Sequence, residues 1–172
     1  MQEACMKNFK AAREIAYSNS TNKLALDSAL YLANESMMCD SIRKAVVDFK
    51  ITLYVAMQKY AEGISFIDSL SGIDFPFEYK RSFMRKGLQA LEFDAKNDTV
   101  KRNVIYQEIV NDIEKYIDSK NDMNNKEFTE IYTDLFATKE KYLDASQVNR
   151  EAEMLKSRYP NRKAFFELLK KD

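Results

Sequence analysis

Histidine and tryptophan are absent from this sequence of 172 residues, which also contains only three glycines and two prolines. Without histidine the chain lacks the side chain that exchanges protons most readily near neutral pH and the commonest metal ligand in proteins. Sheet proteins need many tight turns, for which glycine and proline supply the backbone angles. The scarcity of both residues therefore predicts long helices joined by short polar loops.

The two cysteines, Cys5 and Cys39, are too few for a zinc site and do not form a Cys-x-x-Cys motif. Each stands in an apolar helical context, where a free cysteine behaves as a small buried hydrophobic residue. A disulfide between them would require an oxidising compartment, which no other feature of the sequence supports. We therefore expect two separate buried thiols, with a disulfide as the alternative.

Neither positive nor negative charge is in excess, because 27 lysines and arginines balance 27 aspartates and glutamates. Proteins that bind the phosphates of nucleic acid usually carry more basic than acidic residues, so we expect no nucleic acid partner. The longest apolar run, 53–57, is far shorter than the roughly 20 residues of a membrane span. The N-terminus lacks a basic and then apolar leader, so a cytoplasmic location is favoured, or an extracytoplasmic one if a leader has been removed.

Catalytic and cofactor-binding motifs are missing. The chain has no glycine-rich phosphate loop, and a serine or cysteine nucleophile would have no histidine as its base. Two carboxylate pairs, Glu108 with Asp112 and Glu114 with Asp118, are spaced four residues apart on one helical face and could hold a cation. Lys101, Lys115 and Lys120 lie nearby, which favours a solvated charged face. We expect no enzyme activity, no metal and no cofactor.

Apolar residues recur at the helical spacing of three and four along most of the chain. We expect one domain over 1–172, with a softer boundary in the polar connector 119–125. The spacing does not decide whether the helices on either side of 58–60 are continuous. Gly72, shortly before Pro76, is predicted to end a helix in the left-handed conformation, and Gly87 to mark a close approach of two helices. The predicted helices cover about 3–18, 23–38, 42–57, 61–70, 77–93, 99–117, 128–136 and 145–158, followed by a short one after Pro160.

The helices come in pairs with short links, which makes neighbouring helices antiparallel. Ser41 and Phe77 stand at corresponding helix starts and are 36 positions apart, close to the 34-residue period of tetratricopeptide repeats. Segment 53–63 resembles the end of the first helix and the turn of such a repeat. Segment 73–76 is similar to its closing aspartate and proline, and 83–87 to the aromatic residue and glycine of the next repeat. The resemblance covers residues 4–119.

The resemblance implies an all-α fold in which seven to nine helices form antiparallel hairpins, stacked as a short right-handed α-solenoid. It also implies a scaffold that binds a protein or peptide partner through the first helix of each pair. Carried over to this chain, the peptide-binding residues are Tyr54 and Gln58 on one helix and Arg81 and Arg85 on the next. The two arginines are four residues apart and could bind a peptide carboxylate, or they could form ion pairs within the chain.

The chain departs from the repeat pattern in lacking tryptophan and in carrying Ser69 and Leu70 where the second helix of a repeat has alanine. The alternative architecture is an irregular helical bundle. The alternative functions are a small-molecule sensor with an apolar cavity lined by methionine and phenylalanine, or the helical fragment of a larger regulator. The sequence names neither the partner nor the oligomeric state.

Overall fold

A computed structural model describes residues 2–171 of this chain. Within that range there are nine α-helices and three short 3₁₀ turns, and there is no β-strand. The predicted all-α fold is therefore confirmed, whereas the solenoid stacking stays a prediction. No helix in the described range has the length and apolar character needed to span a membrane. The helices are α1 (Gln2–Ser18), α2 (Lys23–Ser36), α3 (Arg43–Ala56), α4 (Tyr60–Asp68), α5 (Lys80–Ala95), α6 (Thr99–Asp118), α7 (Asn125–Lys139), α8 (Ala145–Arg158) and α9 (Lys163–Leu168), and the 3₁₀ turns are Asp40–Ile42, Gly72–Asp74 and Pro160–Arg162.

The chain divides into two compact units, one ending at Glu92 and the other beginning at Phe93. The division falls in the last turn of α5 and not in the connector 119–125, where the sequence predicts the softer boundary. Across that connector α6 packs on α7, and the Tyr116 hydroxyl donates a hydrogen bond of 2.6 Å to the Glu127 carboxylate. The expectation of one domain over 1–172 stays a prediction.

Polar side chains cap several of the helices, as their sequence positions suggest. Asn22 accepts hydrogen bonds from the first backbone N–H groups of α2, and Asp98 and Asn124 do the same for α6 and α7. Asp144 and Gln147 form a reciprocal capping box at the start of α8. These contacts satisfy N–H groups that the first turn of a helix leaves without an intrahelical partner.

The break between α3 and α4 is real, and a residue other than glycine makes it. Gln58 has a φ of 56°, and the N–H of Lys59 bonds to the carbonyl of Tyr54 at 2.9 Å. This is the Schellman pattern of hydrogen bonds, in which a left-handed residue ends a helix. Asn97 ends α5 in the same way, with a φ of 57°. The prediction for Gly72 is wrong, because no glycine in the described range has a positive φ and Gly72 begins a 3₁₀ turn instead.

In the first unit, α3 is buried on two opposite faces. One face contributes Val46, Phe49 and Leu53 to a core shared with α1 and α2. The other contributes Val47 and Ile51 to a second core, shared with α4, α5 and the segment that joins them. Because both faces meet apolar neighbours, α3 is the element around which this unit is assembled.

The close approach of helices predicted at Gly87 occurs at Gly63 instead. A Cβ atom added to Gly63 would lie 2.8 Å from Leu88 Cδ1 and 3.1 Å from Tyr54 Cβ, so that α3, α4 and α5 meet there without space for a methyl group. A Cβ atom added to Gly87 would have no atom within 4 Å. The prediction for Gly87 is therefore wrong, since glycine there costs helix stability without allowing any closer packing.

The two cysteines are paired. Cys5 and Cys39 are both buried, as expected, but they form a disulfide with a Cα–Cα distance of 6.2 Å across 34 positions of sequence. The expectation of two separate thiols is therefore wrong. The sequence context shows that each side chain is buried, whereas the pairing depends on the antiparallel packing of α1 on α2, which brings the two distant positions together.

The second unit is assembled around α7. Its stripe of Phe128, Ile131, Tyr132, Leu135 and Phe136 is buried, as the spacing predicts. Rings from the end of the chain pack against that stripe: the ring centroid of the buried Phe166 on α9 is 5.3 Å from that of Tyr132 and 6.0 Å from that of Phe128. The short last helix therefore covers the apolar face of α7.

Lys139, at the end of α7, is buried between two carboxylates. Its ammonium group lies 2.7 Å from Glu114 of α6 and also contacts Glu151 of α8. Hydrogen bonds to these carboxylates raise the pKa of Lys139 although its burial opposes this. Glu114 therefore takes part in an ion pair that joins α6, α7 and α8.

The two glycines give a matched pair of variants. Gly63→Ala should lower the free energy of unfolding by about 1–2 kcal/mol, because the new methyl group has no space between Leu88 and Tyr54. Gly87→Ala should raise it by about 0.5–1 kcal/mol, because alanine stabilises a helix interior that is open at this point. Urea unfolding followed by circular dichroism measures both changes. Equal effects of the two substitutions would contradict the packing described for Gly63.

Lys50 on α3 should make stability depend on pH. Its side chain is 5% exposed and its ammonium group lies 3.6 Å from the Phe66 ring centroid. Burial, with a smaller contribution from the charge of Arg43, lowers the pKa of Lys50 from 10.5 to about 8. Below pH 8 the charge is present in the folded and unfolded chain, and its burial is costly. Between pH 8 and 10.5 only the folded chain loses the proton, so stability rises across this window.

Lys50→Met should therefore stabilise the protein at pH 7 by about 1–2 kcal/mol, since the desolvation cost it removes exceeds the ring contact it loses. Urea unfolding at pH 7, 8.5 and 10 should show the wild type approaching the variant as the pH rises. Lys44→Met, at an exposed position of the same helix, is the matched control and should show no such convergence. A difference between Lys50→Met and wild type that stays constant with pH would rule out a titrating Lys50.

The ion pair of Lys139 predicts a large effect of a single substitution. Lys139→Met should lower the free energy of unfolding at pH 7 by about 3 kcal/mol, because Glu114 and Glu151 would keep their charges without the cation between them. Adding Glu114→Gln and Glu151→Gln to this variant should restore much of the loss. The exposed Lys141→Met is the control and should stay within about 0.5 kcal/mol of wild type. The same small effect for Lys139→Met would show that the ion pair contributes little.

Candidate functional site

An open groove runs between α1 and α3 in the first unit. The α1 side carries Phe9, Arg13 and Tyr17, which are spaced four residues apart and therefore lie on one face of the helix. Tyr17 is 72% exposed, so its ring is accessible to a ligand. These residues form one wall of the groove.

The wall on α3 is built from small side chains. Ala45, Thr52 and Ala56 are exposed along the edge of α3 that belongs to neither core, with Phe49 set deeper between them. The rings of Phe49 and Phe9 meet edge to face, with centroids 5.6 Å apart, and close the bottom of the groove. Small residues on one wall and large rings on the other leave an open volume of about 440 Å³.

Arg13 brings a positive charge into this apolar surface. The centre of its guanidinium group lies 5.8 Å from the Phe9 ring centroid and 5.7 Å from that of Tyr17. These contacts are between the positive charge and the faces of the rings, and they use none of the five N–H donors of the guanidinium group. The groove can therefore offer apolar contact and a hydrogen-bonded carboxylate site side by side.

The surface continues from the groove along the N-terminal half of α1. Met6, which is 51% exposed, and Ile42 supply its apolar part, and Phe9 and Arg13 belong to both regions. Lys10 on this face is 3.9 Å from Glu14. Three cations and three acids line the groove and its continuation: Lys7, Lys10 and Arg13 against Glu3, Glu14 and Asp48.

The predicted peptide-binding residues lie elsewhere in the same unit, on the side of α4. Tyr54 is half-buried, with its ring centroid 5.8 Å from that of Phe66 on α4, and burial followed by the nearby charge of Glu62 raises the pKa of its hydroxyl. Gln58 is the left-handed residue that separates α3 from α4. Tyr54 therefore contributes to packing, and Gln58 contributes to the turn between α3 and α4.

Arg81 and Arg85 both bond to Asp68, the last residue of α4. The Nε and Nη2 atoms of Arg85 donate to the two carboxylate oxygens at 2.8 and 3.2 Å, while Arg81 donates to the Asp68 carbonyl at 3.1 Å. The hydrogen bond from Arg85 holds the pKa of Asp68 below its usual range. The alternative of an ion pair within the chain is therefore confirmed for Arg85, whereas the bond of Arg81 is to a backbone carbonyl, and binding of a peptide by either arginine stays a prediction.

Sequence reasoning missed the groove because Phe9 falls on the same helical face as Cys5, Ala12 and Ala16, at the spacing typical of core residues. The useful signal was the arginine between two aromatic residues at spacing four, because Arg13 on that face argues against full burial. On α3 the corresponding signal is weak. Exposed alanines such as Ala45 and Ala56 look like ordinary surface positions of a helix.

The described residues offer no alternative centre for metal chemistry, since no group of three or more cysteines, aspartates or glutamates among them is arranged to hold a metal ion. Of the two carboxylate pairs on α6, Glu114 bonds to Lys139. The side chains that line the groove offer apolar contact and charge pairing.

Comparisons with protein families, with curated proteins and with solved structures found no match to this chain. The resemblance to tetratricopeptide repeats therefore stays a prediction that depends on the segments of sequence described above. The groove between α1 and α3 lies between the first helices of two consecutive predicted pairs.

Proposed function

We propose that this chain is a non-catalytic binding module of the tetratricopeptide-like type, and that a short peptide segment of a partner protein binds between α1 and α3. The observation that carries the proposal is the open apolar groove of about 440 Å³ with the guanidinium group of Arg13 at its wall. A right-handed stacking of the helical pairs belongs to the same proposal. It would make α1 and α3 neighbours on the inner surface of a curved array.

The dimensions of the groove fit a few residues of extended chain. Phe9 and Tyr17 are eight residues apart on a helix, which corresponds to about 12 Å, and an extended peptide covers that length with about four residues. Including the continuation toward Glu3 gives about 21 Å, or about six residues. The expected ligand is therefore a segment of four to six residues, with apolar side chains for the rings and one carboxylate for Arg13.

The balance of charge favours such a peptide over a nucleic acid. Three cations and three acids line the groove and its continuation, so the surface does not present the basic excess that binding to phosphates needs. A mainly apolar segment with a single acidic residue matches one arginine among aromatic rings. The proposed partner is a protein that exposes this kind of segment.

Selection from a displayed library of short random peptides tests this function, with the wild-type chain as the target. The selected peptides should contain apolar residues around an aspartate or glutamate. They should bind at least about tenfold more weakly to Thr52→Arg, which fills the groove from the α3 wall, and to Arg13→Glu, which reverses its charge. Fluorescence anisotropy with labelled peptides measures these affinities.

Two further variants serve as comparisons. Thr129→Arg adds the same side chain at an exposed position of α7 in the other unit and should leave the affinity unchanged. Arg81→Ala with Arg85→Ala tests the site that the repeat resemblance implies. If that variant loses binding while Thr52→Arg keeps it, the peptide binds at the predicted residues and not in the groove. A library that yields no specific peptide contradicts the function as a whole.

A further inference from the structure

The Cys5–Cys39 disulfide lies at one end of the proposed groove. Cys5 immediately precedes Met6, and Cys39 stands three residues before Ile42, and these two apolar residues line the continuation of the groove along α1. The bond therefore joins the two chain segments that border this end of the surface. It also closes the α1/α2 hairpin at the end opposite to its turn at 19–22.

Little else holds the first two turns of α1 in place. Between Gln2 and Asn8 the one buried side chain is that of Cys5, and the core shared with α2 and α3 takes residues of α1 only from Phe9 onward. Two hydrogen bonds support the segment: the Ser36 hydroxyl donates to the Cys5 carbonyl at 3.1 Å, and the exposed Gln2 amide donates to the Ser41 hydroxyl at 3.2 Å. Helix ends with so few buried contacts open most easily.

We propose that this disulfide is a redox control of the groove, an inference that rests on the proposed peptide-binding function. With the bond formed, the start of α1 is held against the segment before α3, and the surface from Met6 to Tyr17 is continuous. With the bond reduced, the first two turns of α1 fray, the part of the groove next to Met6 and Ile42 is lost, and the peptide binds more weakly.

The chemical step is thiol–disulfide exchange with a dithiol reductant. A thiolate of the reductant attacks one sulfur and releases the other as a thiolate, and the second thiolate of the reductant then attacks the mixed disulfide and releases the remaining cysteine. The S–S bond of the chain breaks, two electrons and two protons pass to Cys5 and Cys39 as thiols, and the reductant becomes a disulfide. Because both cysteines are only 6% and 5% exposed, the start of α1 must open before a reductant reaches the sulfur atoms.

Hydrogen exchange followed by mass spectrometry tests this control in the full chain. Amides of α1 from Met6 to Phe9, whose N–H groups bond within the helix, should exchange at least about tenfold faster after treatment with dithiothreitol than in the oxidised protein. Amides of α7 in the other unit should not change and serve as the internal control. Cys5→Ser with Cys39→Ser should exchange as the reduced protein does, with or without reductant.

Three outcomes overturn the inference. One is equal exchange of this segment in the oxidised and reduced protein, and another is two free thiols on maleimide labelling of the unfolded, unreduced chain. The third is equal affinity of the selected peptides for both redox states. A failed peptide selection contradicts the proposed function and leaves the exchange result standing. If peptides are selected but hydrogen exchange does not change on reduction, the redox control is contradicted and the proposed function stands.

Discussion

The first unit depends on one helix that buries two opposite faces. α3 contributes Val46 and Leu53 to the core with α1 and α2, and Val47 and Ile51 to the core with α4 and α5. α3 has 14 residues, which is about four turns. Because two of its faces are buried, only a narrow edge along the helix is in contact with solvent. Every neighbouring element of the unit is placed by one of these two faces.

That constraint explains both the buried charge and the groove. Lys50 lies among the buried positions of α3, and its ammonium group meets the Phe66 ring where an ion pair would be the usual solution. The exposed edge carries Ala45, Thr52 and Ala56, whose small side chains cannot fill the space beside α1. The groove is thus bordered on the α3 side by small residues, because the large apolar residues nearest to it, Phe49 and Leu53, pack into the core with α1 and α2.

The second unit is also assembled around one helix, but that helix buries one face and not two. There α7 buries one stripe, and the aromatic rings that follow α8 cover it, with Phe166 of α9 packed against Tyr132. The charged residue that this packing buries, Lys139, has two carboxylates beside it. Three lysines are buried among the described residues: Lys50 and Lys80 have aromatic rings as neighbours, and Lys139 has anions.

The helices themselves could be predicted because their signals are local. Polar caps such as Asn22 and Asp98, and apolar residues at spacing three and four, act within one or two turns. Left-handed helix ends were harder to locate, because Gln58 and Asn97 adopt that conformation where glycine would be expected. Asparagine is among the residues other than glycine that adopt it most readily, whereas glutamine is not, so the sequence carries no signal for it at Gln58.

The candidate groove could not be predicted residue by residue. It lies between α1 and α3, which are the first helices of successive predicted pairs, and its role as a binding site is a proposal. The residues that the resemblance implies lie at α3 and α5 and do not line the groove, because the spacing of apolar residues does not say which neighbour each face of α3 will meet. Arg85 shows the same limit: its ion pair with Asp68 joins positions 17 residues apart that only the packing of α5 brings together.

The sequence by itself determined that the chain is helical, where most helices begin and end, and which stripe of α7 is buried. These features follow from backbone hydrogen bonds and side-chain contacts between residues a few positions apart. Only the tertiary structure decided that Cys5 meets Cys39, that Gly63 and not Gly87 allows a close approach, and that an open groove borders α1. Each of these depends on distances between residues far apart in sequence, which are set when whole helices pack against one another.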